Sequence, residues 1–294
     1  MIATTESLLA QREAKLIAAL SRLESVVVAY SGGVDSSLVA YYARRLLGTK
    51  ARIVIAVSPS LAHDELEDAR AQAEKFGWDL VEVATAEVDN PDYRKNDGQR
   101  CYFCKGALFE ALDALAKREG YANLAYGANI ADLSDVRPGQ RAASEYNVIS
   151  PLQEAELTKE EIRELAHRAG LPAWDKPQSA CLSSRFPTFE RVTPERLKMV
   201  EGAEIGLRQL GFKGFRVRFH GLKQTADSAV AEFALARIEL SAFDWSRLTE
   251  DDEIRDKISS VVKQAGFAFV TVDIEGYRQG SSNIGIPVEL TRHG

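Results

Sequence analysis

Sulfur and histidine are scarce in this chain. Its 294 residues include three cysteines, two methionines and four histidines. So small and odd a cysteine count argues against a disulfide framework and leaves metal binding or catalysis as the default use of the thiols. The histidines, at positions 63, 167, 220 and 293, show no metal-ligand spacing. Long apolar runs are also missing: none approaches the ~18–20 residues of a membrane span. The N-terminal stretch MIATTESLLAQREAKLIAAL lacks the basic start and apolar core of a secretory signal. A cytoplasmic protein with no membrane partner is expected. Positive charge is not in surplus, with 37 Lys and Arg against 43 Asp and Glu and a net charge of −6. That balance argues against RNA or DNA as a partner. Walker A, G-x-G-x-x-G, internal repeats and low-complexity tracts are all absent.

What is present is an alternation. The N-terminal stretch reads as an amphipathic helix with Leu8, Leu9, Leu16, Ile17 and Leu20 on its apolar side. SVVVAY (25–30), ARIVIAV (51–57), DLVEVAT (79–85) and NLAYGAN (123–129) read as strands. Helical patterns of 12–16 residues separate them, the last before NLAYGAN being KGALFEALDALAKREG. This order predicts parallel βαβ units and a doubly wound α/β domain over residues 1–185. LTKEEIRELAHRAG closes that region, with Thr158 and Glu161 at capping-box spacing. A Pro- and Ser-rich connector follows, and residues 186–294 then change rhythm to a smaller α+β domain of α-β-β-α-β order.

SGGVDSS joins the first strand to the first crossover helix, where open parallel sheets bind ligands. Gly32 and Gly33 permit close approach of a phosphate. Ser31, Ser36 and Ser37 offer hydroxyls, and the helix N-terminus offers unpaired N–H groups and a positive dipole end. A tight turn with Asp35 as a cap is the plainer reading; an anion cradle is the sharper one.

Cys101-x-x-Cys104 is followed much later by Cys181. The spacing leaves four readings open: a redox pair preceding a helix, a zinc site short of one ligand, an iron–sulfur cluster with one iron open to an exchangeable ligand, or Cys181 acting alone as nucleophile or sulfur donor.

SGGVDS resembles the pyrophosphate (PP) loop of the ATP α-hydrolase superfamily, whose members split ATP between the α and β phosphates. Further along, AYSGGVDSSLVA, RCYFCK, GANIADLSDVRPGQRAASE, SPLQEAELTKEEIRELAHRAGLPAWDKP, ACLSSR, FRVRFH, ARIEL and GYRQGSSN occur in that order. Together they resemble the LarE family of sulfur transferases, which helps build the nickel-pincer nucleotide of lactate racemase. The resemblance spans residues 26–283.

It implies ATP and Mg2+ at Ser31, Gly32, Gly33, Asp35, Ser36 and Asn129. It implies a small nucleotide substrate, pyridinium-3,5-biscarboxylic acid mononucleotide, held by Asp132, Arg137, Ser184, Arg185, Arg216, Arg218 and Arg278. Cys101, Cys104 and Cys181 would hold a 4Fe-4S cluster that delivers sulfide, with a sulfide-supplying partner behind it. Glu204 and Glu239 are candidates for a divalent cation or for salt bridges. Family members form homo-oligomers. This sequence departs from the family pattern at FPTFERVTP, in the long acidic connector ELSAFDWSRLTEDDEI and at GSSN. A tRNA-thiolating relative, an amide-forming synthetase and a non-enzymatic nucleotide-binding regulator are the rival expectations.

Overall fold

The computed structural model describes residues 2–134, 138–177, 180–226, 229–250 and 252–278. The chain runs α1 (Ile2–Ser21), β1 (Val26–Tyr30), α2 (Val34–Leu47), β2 (Ala51–Val57), α3 (His63–Lys75), β3 (Leu80–Ala84), α4 (Pro91–Lys95), α5 (Arg100–Glu119) and β4 (Asn123–Tyr126). It continues through α6 (Pro138–Glu145), α7 (Pro151–Glu154), α8 (Lys159–Arg168), α9 (Pro194–Gln209), β5 (Phe215–Ala226), β6 (Ala229–Leu240), α10 (Ala242–Glu250), α11 (Asp252–Gln264) and β7 (Phe269–Val272). Two compact units result: Met1–Glu87 with Cys101–Ser179, and Val88–Arg100 with Ala180–Gly294.

The first unit is built on a parallel sheet of order β3-β2-β1-β4. All five residues of β1 are buried, as a strand covered on both faces requires. Its side chains alternate between two cores. Val26, Val28 and Tyr30 join Leu16, Leu38 and Leu165 from the helices on one face. Val27 and Ala29 join Phe109, Leu112 and Ala142 on the other. This is the doubly wound α/β arrangement that the alternation predicts. β2 and β3 lie on one side of β1 and β4 on the other, so the strand order reverses at β1, immediately before the glycine loop.

The second unit carries a three-stranded sheet of order β5-β6-β7. β5 and β6 form a long antiparallel pair, from Phe215↔Leu240 to Ala226↔Ala229. β7 runs parallel to β6, and α10 and α11 make the crossover between them. Phe186, Phe212, Phe215, Phe219 and Phe267 are buried in its core, with Phe186 stacked on Phe219 at 5.2 Å between ring centroids.

Two local expectations change. The acidic connector contains α10, because Asp244 is not a solvated charge. It is fully buried, accepting from the N–H groups of Gly214 at 2.7 Å and Lys213 at 3.2 Å and from Ser241 Oγ at 3.1 Å. In addition, α5 starts at Arg100 rather than Lys105. Asp97 Oδ1 accepts from Gln99 N–H, a local turn that launches the helix earlier. Cys101 and Cys104 therefore lie within the helix instead of preceding it.

Candidate functional site

The cradle stands at the strand-order reversal, where doubly wound sheets hold ligands. Its walls are Ala29 and Tyr30 at the end of β1, Ser31 and Gly33 in the loop, Asp35 and Ser36 in the first turn of α2, Lys105 and Leu108 of α5, and Tyr126 and Gly127 at the end of β4. Two glycines are forced here. Gly32 has φ +74°, and a Cβ on it would meet the Ala69 side chain at 3.1 Å. A Cβ on Gly127 would lie 2.5 Å from Ser36 N, so β4 can approach the head of α2 only with glycine at that position.

Hydroxyls fix the loop's shape. Ser36 Oγ donates to Gly33 O at 3.0 Å and accepts from Ser31 N–H at 3.1 Å. Ser37 Oγ donates to Gly33 O at 2.8 Å and accepts from Gln72 Nε2 at 2.7 Å, so the second serine faces the core. Gln72 also donates to Tyr30 OH at 2.7 Å. Burial pushes the Tyr30 phenol up to about 12. Gly33 heads α2 with no side-chain cap hydrogen bond, so the serine hydroxyls shape the loop and do not cap the first N–H groups of the helix.

Two cations flank the loop. Lys159 donates to Asp35 Oδ2 at 2.6 Å, while Asp35 Oδ1 is buried without a hydrogen-bond partner among the described residues. Lys105 lies 4.7 Å from the Tyr126 ring centroid and 5.7 Å from that of Phe109. Burial pushes its ammonium down, against the opposing influence of Cys104, Cys101 and Asp132. Residues 101, 104, 105 and 108 follow helical i, i+3, i+4 and i+7 spacing and share one face of α5. Cys101 is exposed and Cys104 half-buried.

Beyond β4, Asn129 is buried. Its Oδ1 accepts from Ala131 N–H at 2.9 Å, and Asp132 Oδ2 accepts from Asn129 N–H at 3.0 Å. Both side chains shape the turn that follows the strand. Arg137 lies outside the described residues.

In the second unit, Cys181 is exposed and heads a short 3-10 turn, Leu182–Arg185. Arg185 is 4% exposed and organises that turn. Its Nη1 donates to Ala180 O at 2.5 Å, Cys181 O at 3.1 Å and Ser184 Oγ at 3.1 Å. Its Nε and Nη2 grip the fully buried Glu204 at 2.9 and 3.1 Å. Arg218 is equally buried and donates to Ser184 O and Glu239 Oε2, both at 2.8 Å. Glu204 and Glu239 are thus carboxylates gripped by guanidinium groups.

Arg216 differs. It is half-buried, rests 5.2 Å from the Tyr277 ring centroid, and forms no ion pair among the described residues. Burial and then the positive charge of Arg185 push its own charge state down. A guanidinium in that position gains most from an anion. Arg278 is half-buried and pairs with Glu275.

The segment 88–100 belongs to this second unit. Tyr93 OH meets Ser183 Oγ at 2.5 Å, and Asn96 Nδ2 donates to Pro187 O at 2.8 Å and Glu190 O at 3.1 Å. Arg100 Nη1 donates to Ser183 O at 2.6 Å. The residue that precedes Cys101 in the chain is therefore bonded two residues beyond Cys181.

A family profile described as NAD synthase matches residues 13–99, which include the glycine loop. An uncharacterized protein of Synechocystis is 44% identical over 89% of this chain and 92% of its own length. Pyridinium-3,5-bisthiocarboxylic acid mononucleotide synthase of Lactiplantibacillus plantarum is 34% identical over 94% of this chain and 95% of its own length. The chain belongs to the LarE family. A GMP synthase of Bacillus mycoides matches more distantly, at 27% over 80% of this chain.

A LarE-family chain is an ATP-using enzyme of the PP-loop class. Asp35 Oδ1 at the cradle, buried and without a partner among the described residues, fits a divalent cation such as Mg2+. For an iron–sulfur cluster, three thiols are suitable donors in kind. Among the described residues, however, no three His, Cys, Asp or Glu side chains are gathered as a metal-binding group.

Sequence reading missed Lys105, Gly127, Lys159 and the trio Tyr93, Asn96 and Arg100. Lys105 had a signal: once α5 starts at Arg100, it takes the same helix face as both thiols. Asn96 and Arg100 had none, because their partners are 83–94 residues away.

Proposed function

We propose that this chain is an ATP-dependent sulfur transferase acting on carboxylates of pyridinium-3,5-biscarboxylic acid mononucleotide. The observation that carries the reading is the anion cradle at the end of β1, with a thiol-bearing helix face contributing Lys105 to its wall. A substrate carboxylate oxygen attacks the α-phosphorus of ATP, the bond to the bridging β-phosphate oxygen breaks, and pyrophosphate leaves. The Ser31–Gly33 backbone and the first N–H groups of α2 receive that pyrophosphate, and Lys105 offsets charge at the same wall. Asp35 would hold Mg2+, which supplies Lewis-acid neutralisation of phosphate charge. A sulfur nucleophile then attacks the acyl carbon, and AMP departs with the former carboxylate oxygen. Arg216 is the residue best suited to the substrate's phosphate.

The finer reading assigns Cys101, Cys104 and Cys181 to a 4Fe-4S cluster, which would supply sulfide from an exchangeable ligand. The number and kind of the thiols support it. Homo-oligomers and a sulfide-supplying partner are proposed on family membership alone.

The test is an anaerobic turnover with MgATP, the pyridinium mononucleotide and sulfide. Mass spectrometry is expected to find oxygen replaced by sulfur in the product, with release of pyrophosphate and AMP. Sulfur appearing in tRNA instead would overturn the reading. Iron and sulfide analysis of the same protein tests the cluster. Iron-free protein that loses one sulfur's mass on turnover would make Cys181 the donor.

A further inference from the structure

Asp35 is the one carboxylate of the glycine loop, and its two oxygens differ. Oδ2 accepts from Lys159 at 2.6 Å, while Oδ1 is buried with no partner among the described residues. A buried carboxylate oxygen without a donor is costly and calls for a ligand. The lysine is itself held in place. It opens α8, where the capping box is complete: Glu161 N–H donates to Thr158 Oγ1 at 3.3 Å, and Thr158 N–H donates to Glu161 Oε2 at 2.9 Å. Arg12 Nη1 braces the same Glu161 at 2.8 and 2.7 Å. Thr158, Glu161 and Arg12 thus fix the start of α8, from which Lys159 reaches Asp35. A lysine in the first turn of a helix also opposes the macrodipole, so its placement is not explained by the stability of α8. Local preference overridden in this way marks a functional position.

We propose that Lys159 is a positioning residue for the nucleotide. It neutralises Asp35 and holds its carboxylate in one orientation while no cation is bound, then yields the carboxylate to the divalent cation that arrives with the triphosphate. Without Lys159, the bare Asp35 carboxylate faces the incoming phosphates. This inference rests on the ATP reading above and adds a residue that the reading does not use.

The experiment is calorimetric binding of α,β-methylene-ATP, with and without Mg2+, to wild type, Lys159→Met, Lys159→Arg and the double variant Asp35→Asn/Lys159→Met. Lys159→Met is expected to lose about tenfold in affinity for the metal-free nucleotide. The loss is smaller with Mg2+, Lys159→Arg restores binding, and the double variant recovers metal-free affinity. Equal losses with and without Mg2+, or no recovery in the double variant, would overturn the proposal and leave Lys159 a support for α8. Wild-type protein that binds the analogue under neither condition would bring down the ATP reading itself.

Discussion

Arg185 and Glu204 form a pair whose removal can be read directly. Both are almost fully buried, and the arginine also holds the backbone on either side of Cys181. Glu204→Leu leaves a buried guanidinium uncompensated and is expected to cost about 3–5 kcal/mol in denaturant melts, whereas Arg185→Met/Glu204→Leu together cost less than either alone. The double variant should still lose sulfur transfer, because the Cys181 turn loses its clamp. Tyr30 gives a pH signature. Its folded pKa, about 12, exceeds the ordinary 10.0, so the protonated phenol favours the folded state. That contribution is complete below pH 10 and is lost as pH rises from 10 to 12, at most about 2–3 kcal/mol. Alkaline titration followed by phenolate absorbance and by unfolding free energy checks both the value and the sign. Gly127→Ala places a methyl group against Ser36 N, and nucleotide binding in calorimetry is expected to vanish while Gly120→Ala, in open space at φ +77°, leaves it intact.

At the level of elements, helix starts decide what the site contains. The early start of α5 places two thiols and Lys105 on one face. The start of α8 places Lys159 at Asp35 through its capping box. Thr158→Ala removes one half of that box and is expected to cost about 1 kcal/mol. A differential-scanning melt checks the stability, and an accompanying fall in metal-free nucleotide affinity would tie the cap to the loop. β1 is the most constrained strand: its residues serve two cores in alternation, and a one-residue slip would exchange the two sets.

Across the whole molecule, the second unit is discontinuous in sequence. It takes Val88–Arg100 from between two elements of the first, and Tyr93, Asn96 and Arg100 satisfy carbonyl and hydroxyl groups of residues 183–190. A fragment covering residues 180–294 loses these partners. It is expected to show little cooperative unfolding by circular dichroism, even though it retains all three strands of its sheet. No described helix is long and apolar enough to cross a membrane.

Sequence alone determined the parallel α/β unit, because buried parallel strands must be continuously apolar and crossover helices must be amphipathic. It also placed the glycine loop between strand and helix, because glycines and hydroxyls there are local chemistry. The thiols could be named from sequence, but not the lysines beside them. Only tertiary structure decided that Arg185 and Arg218 grip buried carboxylates while Arg216 has no ion pair among the described residues, that Asp35 meets Lys159 124 residues away, and that residues 88–100 serve the second unit. Alternation along a strand tells which residues share a face. What covers that face is chosen by distant segments, and a charge's partner fixes whether it binds a ligand or holds the fold.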